Sequence, residues 1–177
     1  MNSTLRRAVF LDRDGVLNRV EWKNGVCQSP RSLDDFQLLP GVAEAGSRLK
    51  AAGFLLIVAT NQPEIARGTL APDTLAVMHH RLREWLPLDD IRVCSHDDGD
   101  GCACRKPAPG LLLDAARDWQ IDLGRSFMIG DREKDLIAGR RAGCRVILVG
   151  EQTVPSKPDF SAPDLLMAAD WILAWPK

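Results

Sequence analysis

No apolar run in this 177-residue sequence approaches the ~20 residues that a membrane-crossing helix needs. The longest, such as Phe54 to Ala59, are the size of a strand. The stretch MNSTLRRAVFLDRD holds only four consecutive apolar residues before charges resume, too few for a secretory leader. No membrane partner and a cytoplasmic location are therefore expected. Charge of one sign is lacking as well. With a formal net charge of −1, the total carries no field that would attract nucleic acid or an anionic surface. Internal repeats, low-complexity tracts and charged tails are missing too.

What is present is ordinary globular usage, 45% apolar and 27% charged. The length suits one well-buried core and is short for two ordinary domains, so a single domain over 1–177 and a monomer are expected.

Apolar periodicity then gives an order of elements. Ala8 to Leu11 reads as a strand ending at Asp12, and Phe54 to Ala59 as another ending at Thr60-Asn61. Between them Val42, Ala45 and Leu49 fall at helical spacing within 41–52, with Gly53 as the stop. Pro72 opens a second helix with the stripe Leu75, Met78, Leu82, Trp85 and Leu86, and Ile91–Val93 follows as a strand. Pro109-Gly110 precedes a helix to about Trp119, and Ser126–Ile129 is a strand running into Gly130-Asp131. A helix over 133–142, Gly143 as its cap, the strand Cys144–Val149 and a helix over 164–174 complete the pattern. Such alternation predicts an α/β, doubly wound, mainly parallel Rossmann-like sheet with helices on both faces.

In such sheets ligands bind at the carboxyl ends of strands, where this sequence puts its polar clusters: Asp12-Arg-Asp14-Gly15, Thr60-Asn61-Gln62, Arg105-Lys106 and Gly130-Asp131 to Asp135. Asp12 and Asp14, two apart as a strand runs out, can approach one reacting group, and their repulsion calls for a cation or a shared proton. Magnesium held by Asp12, Asp131 and, as a further candidate, Asp135 meets that need; Asp135 is an equal candidate for a helix cap. A carboxylate forms an aspartyl-phosphate when metal and cations screen the phosphoryl group, and Thr60, Asn61 and Lys106 supply hydroxyl, amide and ammonium donors.

Three of five cysteines crowd one loop, CSHDDGDGCACRKP, 94–107. In a reducing compartment that favours metal over disulfides. Cys94, His96, Cys102 and Cys104, in the pattern Cys-x-His-x5-Cys-x-Cys, are the number and type of ligands of a closed tetrahedral zinc site, hence a structural zinc-binding loop at 94–104.

The four segments VFLDRDGVLN (9–18), VATNQ (58–62), CRKP (104–107) and IGDREKD (129–135) resemble the ordered motifs of the haloacid dehalogenase superfamily of aspartate-nucleophile phosphatases. The resemblance runs from about Ala8 to Val149. With LPGVAEA, IARG and the cysteine loop, the sequence is similar to the branch of heptose 1,7-bisphosphate 7-phosphatases and histidinol-phosphate phosphatases. The resemblance implies a phosphoric monoester hydrolase of carbohydrate metabolism that removes the 7-phosphate of a heptose bisphosphate. Histidinol phosphate or another small phosphorylated metabolite is the alternative, and a weakly active phosphate-binding regulatory module the alternative of another class. It further implies Asp12 as nucleophile, Asp14 as general acid and base, and Thr60 and Lys106 on phosphoryl oxygens with Asn61 assisting. Magnesium would be held by Asp12, the Asp14 carbonyl and Asp131. The intervals between motifs leave no room for a separate cap domain, so segments 19–31, 62–71 and 94–105 should control access.

Arg105, between Cys104 and Lys106, is expected to meet a second phosphate or carboxylate of the substrate. Arg13 reads as an ordinary surface charge, and His79 and His80 as structural or solvent-facing. Trp171 and Trp175 should pack the last helix, whereas Trp22 could either cover substrate or stand exposed. Pro63-Glu64 replaces the small residues usual in heptose enzymes, and Glu64 would disfavour a bisphosphate if it faced one.

Overall fold

A computed structural model describes residues 5–23 and 26–176. Strand β1 (Ala8–Leu11) is followed by a hairpin of β2 (Glu21–Lys23) and β3 (Val26–Gln28), helix α1 (Val42–Ala51) and strand β4 (Leu55–Asn61). Next come α2 (Pro72–Trp85), β5 (Asp90–Cys94), α3 (Gly110–Trp119) and β6 (Phe127–Gly130). The chain closes with α4 (Glu133–Ala142), β7 (Arg145–Val149), β8 (Phe160–Ala162) and α5 (Leu165–Ala174).

Six strands form one parallel sheet in the order β5-β4-β1-β6-β7-β8, and the hairpin is a separate antiparallel pair. Every residue of β1 and β4 is buried, as expected of strands covered on both faces. Alternation along β1 sends Val9 and Leu11 to one face, where they join Leu49 of α1, Met78 of α2 and Ile172 of α5 in one core. Ala8 and Phe10 face the other core, with Leu112 of α3 and Leu136 of α4. The doubly wound architecture read from the sequence is therefore the one observed, and no separate cap is evident among the described residues.

Local chemistry explains the helix boundaries. Gly41 precedes α1 in the left-handed conformation, φ 75°, and Val42, Ala45, Gly46 and Leu49 are its buried stripe. Pro72 starts α2, and the Asp164 side chain caps α5 by accepting from the Met167 N–H. Trp171 stacks on Phe160 at 4.8 Å and lies 4.6 Å from Trp175, so both tryptophans pack α5 as expected.

Two features go beyond the expected elements. Segment 19–31 contains the β2–β3 hairpin rather than plain loop, although Asn24 and Gly25 lie outside the described residues. β8 is a three-residue edge strand paired in parallel with β7. In addition, β4 runs on through Thr60 and Asn61, because these still pair with Val93 and Cys94 of β5. The order of strands reverses around β1, which opens the crevice at the carboxyl ends of β1, β4 and β6.

Candidate active site and metal centres

The backbone ladder carries β1 one residue further than its apolar run, since the Asp12 N–H donates to the Ile129 carbonyl at 2.9 Å. Asp12 thus stands at the sheet's carboxyl edge beside the end of β6. The chain then turns at Gly15, φ 88°, where a Cβ would come within 2.3 Å of Asp131 Oδ2. Gly130 plays the matching part at the end of β6, for a Cβ there would lie 2.1 Å from the Asp135 Cβ. The two glycines let β1, β6 and the first turn of α4 converge, bringing Asp12, Asp131 and Asp135 together.

One carboxylate oxygen from each of these aspartates lies within 4.8 Å of the others, and all three residues are buried. Burial, with Asp12 and Asp135 nearby, raises Asp131 to about 7, and Asp131 Oδ1 is buried without a hydrogen-bond partner among the described residues. An all-oxygen set of crowded, incompletely satisfied carboxylates fits a hard divalent cation such as magnesium. Asp135 takes the expected cap role, accepting from the Arg132 N–H at 3.2 Å at the start of α4, and also belongs to the carboxylate cluster.

Lys106 reaches this cluster from the other side, its Nζ 2.8 Å from Asp12 Oδ1 and 2.6 Å from Asp135 Oδ1. Burial alone would lower it, but Asp12 and Asp135 outweigh that and hold the ammonium charged beyond the usual lysine range. Asn61, expected as a phosphoryl donor, has a different primary contact. Its Nδ2 donates to the Lys106 carbonyl at 3.0 Å, and its Oδ1 accepts from the Lys106 N–H at 3.1 Å. The carboxamide fixes the lysine backbone, with one amide hydrogen to spare. Thr60 is buried, and its hydroxyl accepts from Gln62 Nε2 at 2.9 Å while keeping its own proton to donate.

Arg13 requires correction: it is fully buried rather than a surface charge. Its Nη2 donates to both Asp14 oxygens at 2.9 Å and to Gln62 Oε1 at 3.0 Å, and its guanidinium lies over the Phe36 ring. Asn18 Nδ2 at 2.9 Å and Gln62 Nε2 at 2.8 Å complete the enclosure of the Asp14 carboxylate. Burial would raise Asp14, yet Arg13, Asn18 and Gln62 together hold it below the usual carboxylate range. His79 is a structural member of this network, 3.2 Å from Arg13 Nη1, and burial and Arg13 press it down to about 4.

Gln62 and Asn18 were not singled out from sequence. The usable signal for Gln62 was strand period, because residues 60 and 62 leave β4 on the same side. His80 is exposed on α2 beside Glu84.

The cysteine loop closes on itself. Cys94 Sγ lies 3.2 Å from Cys104 Sγ and 3.7 Å from Cys102 Sγ, and His96 Nδ1 is 3.3 Å from Cys104 Sγ and 3.5 Å from Cys94 Sγ. A tetrahedron of thiolates about 2.3 Å from a zinc ion has edges of about 3.8 Å, so this donor set fits zinc. All five cysteines are free thiols. Burial and the two neighbouring thiols push Cys104 up to about 12, and a bound cation would reverse that preference.

The acidic centre of the loop also finds partners. Asp97 accepts from Arg67 Nε at 2.8 Å and Nη2 at 2.5 Å, and Asp100 accepts from the Asp97 N–H at 2.8 Å, closing the 3-10 turn 98–100. Arg105 Nε donates to Asp98 Oδ1 at 2.8 Å, and its Nη1 to the His96 carbonyl at 3.1 Å.

A pocket of about 210 Å³ contains Asp12, Asp14 and Asn61. Ser29 from segment 19–31, Glu64 and Arg67 from 62–71, and Asp98 and Arg105 from 94–105 line it, so all three expected access segments contribute. Trp22 is exposed on β2 and lines an adjacent pocket of about 220 Å³ with Asp131 and Arg132.

A family model described as HAD-hydrolase-like matches residues 103–168. The D-glycero-D-manno-heptose-1,7-bisphosphate 7-phosphatase of Thermosynechococcus vestitus is 40% identical, over 94% of this chain and 95% of its own. The D-glycero-beta-D-manno-heptose-1,7-bisphosphate 7-phosphatase of Helicobacter pylori J99 is 37% identical, over 96% and 98%. Among solved structures, the D,D-heptose 1,7-bisphosphate phosphatase of B. bronchiseptica, complexed with magnesium and phosphate, superposes with a TM-score of 0.82 at 34% identity, covering 94% of this chain and 98% of that one. The chain therefore belongs to the haloacid-dehalogenase-like phosphatases, phosphoric monoester hydrolases whose members include the heptose-1,7-bisphosphate 7-phosphatases.

Proposed function

We propose that this chain removes the 7-phosphate of D-glycero-D-manno-heptose 1,7-bisphosphate by way of an aspartyl-phosphate on Asp12. The observation that carries the reading is the convergence of Asp12 with the Asp131–Asp135 pair and the Lys106 ammonium beside the enclosed Asp14. An Asp12 oxygen attacks phosphorus, and the sugar oxygen leaves with a proton from Asp14, which must first take up that proton against the Arg13, Asn18 and Gln62 contacts that favour its ionised form. Asp14 then takes a proton from the water that cleaves the acyl phosphate, releasing inorganic phosphate and restoring Asp12. Lys106 and the Thr60 hydroxyl hold phosphoryl oxygens, and Asn61 keeps the Lys106 backbone in place. Asp12, Asp131, Asp135 and the Asp14 carbonyl would hold magnesium, which when bound would supply positive charge against the phosphoryl group.

Cys94, His96, Cys102 and Cys104 would hold a structural zinc ion. Four protein ligands would leave no open position, and fixing Cys104 would limit where Arg105 and Lys106 start. The protein acts as a one-domain cytoplasmic monomer on a small phosphorylated sugar, without nucleic-acid or membrane partners; no helix among the described residues is long and apolar enough to cross a membrane. Arg105 meets the second phosphate.

One observation favours a second substrate, histidinol phosphate. Glu64 and Asp98 both line the pocket, and carboxylates suit an amine. Comparing kcat/KM on both heptose bisphosphate anomers, histidinol phosphate and simple sugar phosphates tests the assignment. Preference for the bisphosphate supports it, and equal weak turnover of all rejects it.

A further inference from the structure

Asp98 stands between two arginines on the wall of the pocket that contains Asp12. Its Oδ1 is 2.6 Å from Arg105 Nη2 and 2.8 Å from Arg105 Nε, while its Oδ2 is 3.4 Å from Arg67 Nη2. The three groups differ in how firmly they are held. Arg67 is anchored by Asp97, at 2.8 and 2.5 Å, and Arg105 by the His96 carbonyl at 3.1 Å. Asp97 is in turn locked into the 3-10 turn by a reciprocal cap with Asp100. The Asp98 side chain is 76% exposed and has only the two guanidinium groups as side-chain partners among the described residues. Of the three side chains it is therefore the one that can swing away while Arg67 and Arg105 keep their other anchors.

We propose that Asp98 is a specificity-determining residue. Its carboxylate occupies Arg67 and Arg105 as an internal anion, which the distal group of a substrate must displace. Exposed carboxylate–guanidinium pairs are weak and screened, so displacement is easy for a strong competitor. A phosphate offers a second negative charge and three acceptor oxygens to the two forks, and so outcompetes a carboxylate; a neutral hydroxyl does not. Arg67 and Arg105 thus discriminate according to the charge of the distal group, and Asp98 tempers that preference by competing with it. This inference rests on the reading of the pocket as the phosphatase site, but not on the heptose as substrate.

The test uses the full chain with magnesium and follows hydrolysis of p-nitrophenyl phosphate. Fructose 1,6-bisphosphate and fructose 6-phosphate serve as competing doubly and singly phosphorylated sugars. In Asp98→Asn, the inhibition constant for the bisphosphate should fall about fivefold relative to that for the monophosphate, and Asp98→Glu should restore the original ratio. An unchanged ratio, or one that moves against the bisphosphate, overturns the proposal, because Asp98 would then merely support Arg105. Zinc content measured in the same samples identifies a distorted loop, which would weaken both sugars alike. Should the unaltered protein fail to turn over heptose 1,7-bisphosphate, the substrate assignment falls while this ratio remains decisive.

Discussion

Lys106 bridges Asp12 and Asp135, so a single ammonium joins the end of β1 to the first turn of α4. Its own position is set from two directions. Asn61 at the end of β4 clamps its backbone, and Cys104, two residues earlier, is held in the thiol and imidazole cluster. The placing of Lys106 therefore depends on residues outside the carboxylate cluster.

Asn61→Ala removes both bonds to the Lys106 backbone. Each such buried bond contributes about 1 kcal/mol, so thermal melts should show a loss of roughly 2 kcal/mol. Because the lysine then samples wrong positions, kcat should fall by about tenfold or more. Unchanged kcat would mean that the clamp has no part in aiming Lys106.

Freshly purified protein should contain one zinc per chain, and Cys104→Ser should lose it. With zinc gone, activity should drop even at saturating magnesium, since Arg105 and Lys106 follow the lost ligand directly. Elemental analysis and phosphate release on the same samples check both statements; folded, active protein without zinc would remove the structural role.

Gly15→Ala tests the convergence of the aspartates. A Cβ there would fall 2.3 Å from Asp131 Oδ2 and would require a left-handed residue at φ 88°. The strain is about 1 kcal/mol, and Asp131 must move. The magnesium concentration giving half-maximal activity should rise about tenfold or more, with a cooperative melt retained.

His79 predicts an acid limb in stability. Its folded value is about 4 against an ordinary 6.5, because burial and Arg13 disfavour the proton. Above about 6.5 neither state carries that proton and the full stability is present; as pH falls from 6.5 towards 4 the unfolded chain gains the proton first, and stability declines. Unfolding free energies from denaturant titrations should fall on the order of 2 kcal/mol across that window, and His79→Gln should flatten the limb.

Much of this was legible in the sequence for physical reasons. Short continuous apolar runs that end at polar residues suit strands covered on both faces, so β1 and β4 announced the parallel sheet, and the polar residues that ended each run marked its carboxyl edge. The β2–β3 hairpin and β8 escaped because three-residue strands are too short for periodicity to register. Arg13 escaped for another reason. Residue type points a charge outward, and besides its neighbour Asp14 the groups that make its burial tolerable, Gln62, His79 and the Phe36 face, come from distant segments. Asn61 was read as a phosphoryl donor, whereas its contact with the Lys106 backbone depends on two residues 45 apart meeting in the fold.

The most direct test of the central claim is phosphate release from heptose 1,7-bisphosphate by Asp12→Asn with saturating magnesium. Loss of the nucleophile should lower kcat by at least about 10³-fold, while the protein still melts cooperatively. Activity within about tenfold of the unaltered protein would contradict the aspartyl-phosphate mechanism, and with it the role assigned to the end of β1.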